Sequence, residues 1–392
     1  MMKNERVAVL DVRSFEVTFL IGGKGVNDTF VFCGNKSEKY EGYSTDGFFD
    51  EKSFTDAVRS AALSVLKSYD GKVDKIFVGT PAPFVRVRTM GHTNSYPTKR
   101  KMTSSDIEAL YDSGVSELME SGRLIRRSAM YFALGDNRKY FDEDKLYGMP
   151  TSLLKGALCY YFVSETFYDV VTSVLQTLGF SEVEFIPASL AQATYLLPQK
   201  TREGYAFLLD IGFMTSTVSV VYGNGIVHEE TFDYGVASIL VSLMESLQID
   251  YDKAEEILYC ANVSGGYVSN DQVWIAEDGA SYSEARINDI IKCGLDELCE
   301  QVQEFFSKYY REKTNTGFMS NPLSLTGEGV GSIRGAAEHI SKRLSRITEI
   351  VYPDLPYYDK PLFSSRIALL STALYAKKKK GLFSRIFGGK KK

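Results

Sequence analysis

Cysteine and histidine are scarce in this sequence. Five cysteines (Cys33, Cys159, Cys260, Cys293, Cys299) and three histidines (His92, His228, His339) are spread over 392 residues. The cysteines are odd in number and lack CxxC spacing, which argues against a disulfide framework or a zinc site and predicts reduced thiols. The histidines do not fall at metal-ligand spacing. Long apolar runs are missing too, none approaching the roughly 20 residues needed to span a bilayer. No secretory leader precedes the first strand-like run, which begins at Arg6. These absences predict a cytosolic or peripheral protein. Solenoid-period repeats are also lacking, and low-complexity sequence is confined to a basic tail.

What is present reads as an ordinary globular chain, 44% hydrophobic and 24% charged, long enough for two or more lobes. The net charge of -5 conceals an asymmetry. The last sixteen residues carry eight Lys or Arg side chains and no acid, leaving 37 basic against 50 acidic side chains in the first 376. An acidic body argues against nucleic acid as a partner, and the tail reads as a separate device.

Two stretches share one shape. Arg6-Val-Ala-Val-Leu-Asp11 and Tyr205-Ala-Phe-Leu-Leu-Asp210 are apolar runs ending in an aspartate, each followed by a short polar turn and a second apolar run. Each predicts a strand, a tight turn and a second strand. A carboxylate at the end of a buried strand, followed by a turn with hydroxyls or glycine (Ser14; Gly212 and Thr215), commonly holds phosphorylated ligands and their metal ions. The repetition predicts two related half-domains facing one cleft.

Between them, Phe54, Val58, Ala61, Ala62, Val65 and Leu66 predict a helix and Lys72–Gly79 a strand, an α/β beginning. Phe84–Thr89 alternates like a strand, and Thr103 precedes a helix carrying Ile107, Leu110, Tyr111, Val115 and Leu118. With strands at Ser128–Leu134 and Leu153–Val163 this predicts a small α+β insertion. A helix from Phe167 to Leu178, closed by Gly179, and a strand at Val183–Ile186 then resume the α/β pattern. Beyond Gly223 helices dominate, the longest at Ser283–Tyr309, with a polar strand region at Gly266–Ala280. A strand with a glycine-rich turn follows at Asn321–Gly335, then a final helix at Leu362–Ala376.

Two aspartate turns plus the late glycine turn (Gly327, Gly329) resemble the ligand-contacting parts of actin-like ATPases. The insertion, placed after Phe77-Val-Gly-Thr-Pro81, narrows the likeness to the bacterial cell-division family FtsA. Thr103–Asp106, Ile186-Pro-Ala-Ser-Leu-Ala191, Ala254-Glu255 and Leu323-Ser-Leu-Thr-Gly327 are similar to that family's insertion, connecting helix, ribose-side helix and adenosine turn. The resemblance implies an α/β, actin-like two-lobed ATPase fold with an FtsA-type α+β subdomain and a C-terminal amphipathic tail. Lobe 1 would comprise residues 1–82, 165–202 and 362–376, with the insertion at 83–164. Lobe 2 would comprise 203–235 and 321–361 around a helical subdomain at 236–320. The tail would be 377–392.

The resemblance further implies ATP with Mg2+ held by Asp11, Ser14, Asp210, Gly212, Thr215, Glu255, Gly327 and Gly329, the two aspartates serving the metal. It also implies a membrane contact through Lys380, Leu382, Phe383, Arg385, Ile386, Phe387 and Lys390. The partners would be FtsZ's C-terminal peptide on the helical subdomain, other copies of the chain in a filament, and an anionic surface at the cytoplasmic face of the membrane.

The sequence departs from that pattern. Where the family's first turn has Gly and then Lys, this chain has Arg13 and Glu16. Phe213 and Met214 stand in place of glycines in the second turn, and Leu258 in place of a ribose-side lysine. These changes predict a weakened nucleotide site with slow or absent hydrolysis. Two other readings compete: an active ATPase of the heat-shock or sugar-kinase branch, which needs intact glycine turns, and a pilus-assembly scaffold of the PilM type, which shares the insertion.

Overall fold

The computed structural model describes residues 6–25, 29–116, 118, 122–264, 272–275, 279–310 and 321–387. The chain divides into two units. The first comprises Met1–Gly204, Val221–His228 and Ser365–Lys392, and the second Tyr205–Val220 and Glu229–Ser364.

The first unit begins with β1 (Arg6–Val12), β2 (Glu16–Lys24) and β3 (Phe30–Lys39), then a hairpin of β4 (Tyr43–Ser44) and β5 (Gly47–Phe48). Helix α1 (Glu51–Ser68) and β6 (Lys75–Thr80) follow. Asp50 starts α1 by accepting hydrogen bonds from the Lys52 and Ser53 amides at 2.8 and 3.2 Å, which satisfies donors that the first turn leaves without partners. An inserted unit comes next: β7 (Val85–Lys101), α2 (Ser104–Ser116), β8 (Arg123–Leu134), β9 (Lys139–Tyr140) and β10 (Pro150–Val163). Then come α3 (Glu165–Thr177), β11 (Glu182–Pro187), α4 (Ala188–Leu196) and α5 (Gln199–Arg202).

The main sheet runs β11-β6-β1-β2-β3. β11, β6 and β1 are parallel, while β1, β2 and β3 are antiparallel. Strand β1 is apolar almost throughout because both its faces are covered. Ala8, Leu10 and Val12 pack with Phe54 and Val58 of α1 and Phe167 and Val171 of α3. Val7 and Val9 pack with Ala368, Leu369 and Leu370 of the last helix. The insertion forms its own sheet, β7-β10-β8-β9, with Ile107, Leu110 and Tyr111 of α2 against Leu154, Leu158 and Tyr160. Its edge strand β7 continues well past the predicted end at Thr89. Thr103 also differs from a simple cap: its amide and hydroxyl donate to Asp106 at 2.9 and 2.7 Å, so the carboxylate reaches back to the helix start.

The second unit repeats the arrangement. Strands β12 (Tyr205–Ile211), β13 (Ser216–Tyr222) and β14 (Gly225–Phe232) lead to α6 (Val236–Leu247) and α7 (Tyr251–Cys260). A short pair, β15 (Val273–Ile275) and β16 (Ser281–Ser283), precedes the long α8 (Glu284–Tyr310). The rest of the expected strand region at Gly266–Ala280 lies largely outside the described residues. β17 (Leu323–Thr326), α9 (Glu328–Ser332), α10 (Ala336–Leu344), β18 (Thr348–Ile350) and α11 (Ser364–Phe387) complete the chain. This sheet runs β14-β13-β12-β17-β18. Both sheets therefore place an aspartate-bearing strand between a sequential neighbour and a parallel crossover strand. Asp11 lies opposite Gly79 and Asp210 opposite Thr326. The carboxyl ends of parallel strands at such a reversal are where open α/β sheets take ligands.

Candidate functional site

In the first unit the turn after β1 is Arg13-Ser-Phe-Glu16, closed by the Arg13 amide donating to the Glu16 carbonyl at 2.8 Å. Three of its carbonyls are held from below. The Tyr40 hydroxyl donates to Arg13 O at 2.6 Å, the Tyr43 amide to Ser14 O at 3.2 Å, and the Tyr40 amide to Phe15 O at 3.1 Å. Asp11 is 1% exposed, and Ser14 is also buried. The Ser365 hydroxyl donates to Asp11 Oδ1 at 2.6 Å. Arg366 Nε lies 4.0 Å from Asp11 Oδ2, and Arg366 Nη2 donates to Glu16 Oε1 at 3.1 Å. Burial pushes the Asp11 carboxyl above its usual range; Arg13, Arg366 and the Ser365 hydroxyl pull in the other direction without prevailing.

In the second unit the turn after β12 is closed by the Gly212 amide donating to Thr215 O at 3.0 Å. Asp210 is half-buried, and Gly212 and Thr215 are buried. The turn's own carbonyls occupy the start of α6: the Val236 amide donates to Gly212 O at 3.1 Å and the Ala237 amide to Phe213 O at 2.8 Å. Those helix-terminal donors, which would otherwise suit an anion, are already satisfied. Gly327 follows β17 at φ 93°, and a side chain there would run into the Asp210 carboxylate and the Ile211 backbone. Gly329 likewise lies against the Ile211 side chain. Both glycines thus serve close packing on the aspartate turn. Glu255 on α7 accepts a hydrogen bond from the Tyr251 hydroxyl at 3.2 Å. Burial first, and Glu255 second, push the Tyr251 phenol up to about 12. Leu258, at the place of the family's lysine, is core.

Asp11, Ser14, Asp210, Gly212 and Thr215 thus lie on the aspartate turns and Gly327 and Gly329 against the second, while Glu255 sits on α7 beside Tyr251; the donors of the first turn do not suit magnesium. Among the described residues no three His, Cys, Asp or Glu side chains gather as a metal site. One oxygen of Asp11 is taken by Ser365 and the other faces a guanidinium, so the first turn does not fit a divalent ion. Sequence reasoning missed Ser365, Arg366 and Tyr40. No local pattern could have signalled Ser365 and Arg366, whose roles depend on folding across 350 positions. It also missed a cavity of about 550 Å3 within the first unit, lined among others by Arg126, Glu143, Tyr195, Gln199, Thr372 and Tyr375.

Of the predicted membrane residues, Lys380, Leu382, Phe383, Arg385, Ile386 and Phe387 lie on α11; Lys390 lies outside the described residues. The basic run and the apolar block therefore continue the final helix, in place of the predicted break near Ala376. Among the described residues no helix is long and apolar enough to cross a membrane.

No protein-family profile matches the chain, and no curated protein matches it. Solved structures do. The chain is similar to a structure of the PilM-PilN type IV pilus biogenesis complex, with a TM-score of 0.61 at 12% identity, covering 94% of this chain and 98% of the other. It is similar to MreB 5 of Spiroplasma citri bound to AMPPNP (TM-score 0.56, 10% identity, 97% and 98% covered). It is also similar to the ethanolamine utilization protein EutJ from Carboxydothermus hydrogenoformans (0.52, 11%, 94% and 90%). At these identities the likeness concerns the fold, which is the actin-like ATPase fold over nearly the whole chain.

Proposed function

We propose that this actin-fold chain is a membrane-tethered scaffold of the FtsA kind. It assembles with copies of itself at the cytoplasmic face of the membrane and holds FtsZ filaments there through their C-terminal peptide. The observation that carries the reading is the last helix, which runs unbroken from Ser364 to Phe387. Its first half is packed on β1, and its second half bears Lys377–Lys380 and the Leu382, Phe383, Ile386, Phe387 block. In a helix these four apolar residues share one face flanked by basic side chains, the pattern of an interfacial anchor. Catalysis is secondary in this reading. First-turn acids already engaged by Arg366, bulky Phe213 and Met214, and a self-satisfied α6 start favour a scaffold that turns over ATP slowly or not at all.

Pelleting of the purified chain with anionic vesicles, with and without FtsZ, tests the proposal. Retention of the chain on vesicles together with FtsZ filaments is the expected result. Failure to pellet, or vigorous Mg-ATP turnover lost in Asp210→Ala, would count against it. A second reading has its own support. PilM, whose complex with PilN shares the fold, assembles with a partner, and the mixed-charge cavity of the first unit offers a place for a partner's segment. Binding of a pilus-assembly peptide but not the FtsZ peptide, weakened by Arg126→Glu, would favour that reading.

A further inference from the structure

The carboxylates at the first turn share one internal cation. Asp11 and Glu16 project from the same face of the β1–β2 hairpin, since Asp11 pairs with Thr18, two residues beyond Glu16. Arg366 spans them, 4.0 Å from Asp11 Oδ2 and 3.1 Å from Glu16 Oε1, with only 12% of its side chain exposed. Asp11 Oδ2 has no hydrogen-bond partner among the described residues, so its charge is answered by proximity to the guanidinium and by the field of Arg13. Hydroxyls also touch the two acids: Ser365 donates to Asp11, and Thr18 lies 3.3 Å from Glu16 and 2.8 Å from Ser37. Two carboxylates with hydroxyls beside them form an oxygen donor set for a hard divalent cation. Arg366 lies across that set.

We infer that Arg366 acts as a built-in substitute for a divalent cation: it neutralises the Asp11–Glu16 pair and excludes metal from the first turn. A buried carboxylate needs a counter-charge. In this chain the last helix supplies it covalently, so the turn reaches its folded arrangement without an ion. Removing the guanidinium leaves an oxygen-lined pair of acids that a divalent ion can occupy.

The test is Mn2+ binding to the full-length chain, measured by calorimetry and by thermal shift. The wild type should show no binding that depends on Asp11. Arg366→Met should bind Mn2+ tighter than the wild type by about tenfold or more, which corresponds to about 1.4 kcal/mol. Adding Arg13→Met should strengthen it further, Arg366→Lys should restore exclusion, and Asp11→Asn in the Arg366→Met background should abolish binding. If Arg366→Met does not fold, Arg366→Gln, which keeps a donor toward Glu16, carries the same expectation. Mn2+ bound by the wild type and lost in Asp11→Asn would overturn the inference, as would folded Arg366 variants that bind no tighter than the wild type. The readout is separate from vesicle pelleting, so failure of the scaffold reading and failure of this one are distinguishable.

Discussion

Asp11 and Gly327 are each held under an unusual local constraint. Burial raises the Asp11 pKa, so the folded state binds its proton more tightly than the unfolded chain does. Between the ordinary carboxylate value and the raised one, stability contributed by this group therefore falls as pH rises, and above that window the cost persists. Asp11→Asn should consequently raise the urea midpoint at neutral pH with the m-value unchanged, and the advantage should shrink as the buffer is acidified. A lower midpoint at neutral pH would mean that pairing with Arg366 outweighs burial. Gly327 is constrained differently. Its backbone lies at φ 93° and ψ -178°, a region nearly restricted to glycine, and a Cβ would meet the Asp210 carboxylate. Gly327→Ala should destabilise the chain by about 1 to 3 kcal/mol from the backbone alone, read from chemical unfolding.

Among the elements, the last helix joins the core of the first unit to the first aspartate turn. It covers β1 and β6 with Ala368, Leu369 and Leu370, and it approaches the sheet closely because Gly79 has no side chain where Leu369 sits. Leu369 is fully buried. Leu369→Ala should therefore cost about 2 to 5 kcal/mol, and Gly79→Val should loosen the helix from the sheet even though valine suits a strand. The same helix carries the proposed membrane block. Phe383→Glu with Phe387→Glu should release the chain from anionic vesicles at low and high salt alike, since it removes the apolar face. Neutralising Lys377–Lys380 should instead weaken binding at low salt and leave what remains less sensitive to added salt. Unchanged pelleting by the double Glu variant would rule out this helix as the anchor.

At the scale of the whole molecule the charge distribution is what the proposed tethered scaffold requires. An acidic body of 37 basic against 50 acidic side chains is joined to a tail with eight basic ones, so an anionic surface attracts one end and repels the rest. A single block of four apolar residues would bind weakly, because each contributes at most about 1.5 to 3 kcal/mol when fully buried and burial at an interface is only partial. Joining many tails in a filament raises the effective concentration of each remaining tail once the first has docked. Vesicle binding should therefore rise more steeply than linearly with protein concentration, and a variant unable to self-associate should bind linearly and weakly in co-flotation.

The fold class and the two aspartate turns are legible in the sequence because their signals are local: apolar runs, a polar turn and helical spacing occupy a few consecutive residues each. Asp11 and Asp210 therefore stand out from their neighbours along the chain, as do the insertion and the helical stripe Phe54–Val65. The bounds of β7 and of the last helix are less accessible, since edge strands and a basic helical extension lack the periodicity that marks a half-buried element. What the aspartates face is decided by tertiary structure alone. Ser365 and Arg366 stand about 350 positions from Asp11 and Glu16, and no spacing rule links them. The purpose of Gly327 is hidden for the same reason, because the atoms that exclude a side chain there belong to another strand. Neutralising a buried charge and excluding a Cβ are properties of distance in space, and folding sets those distances after the local pattern has chosen the elements.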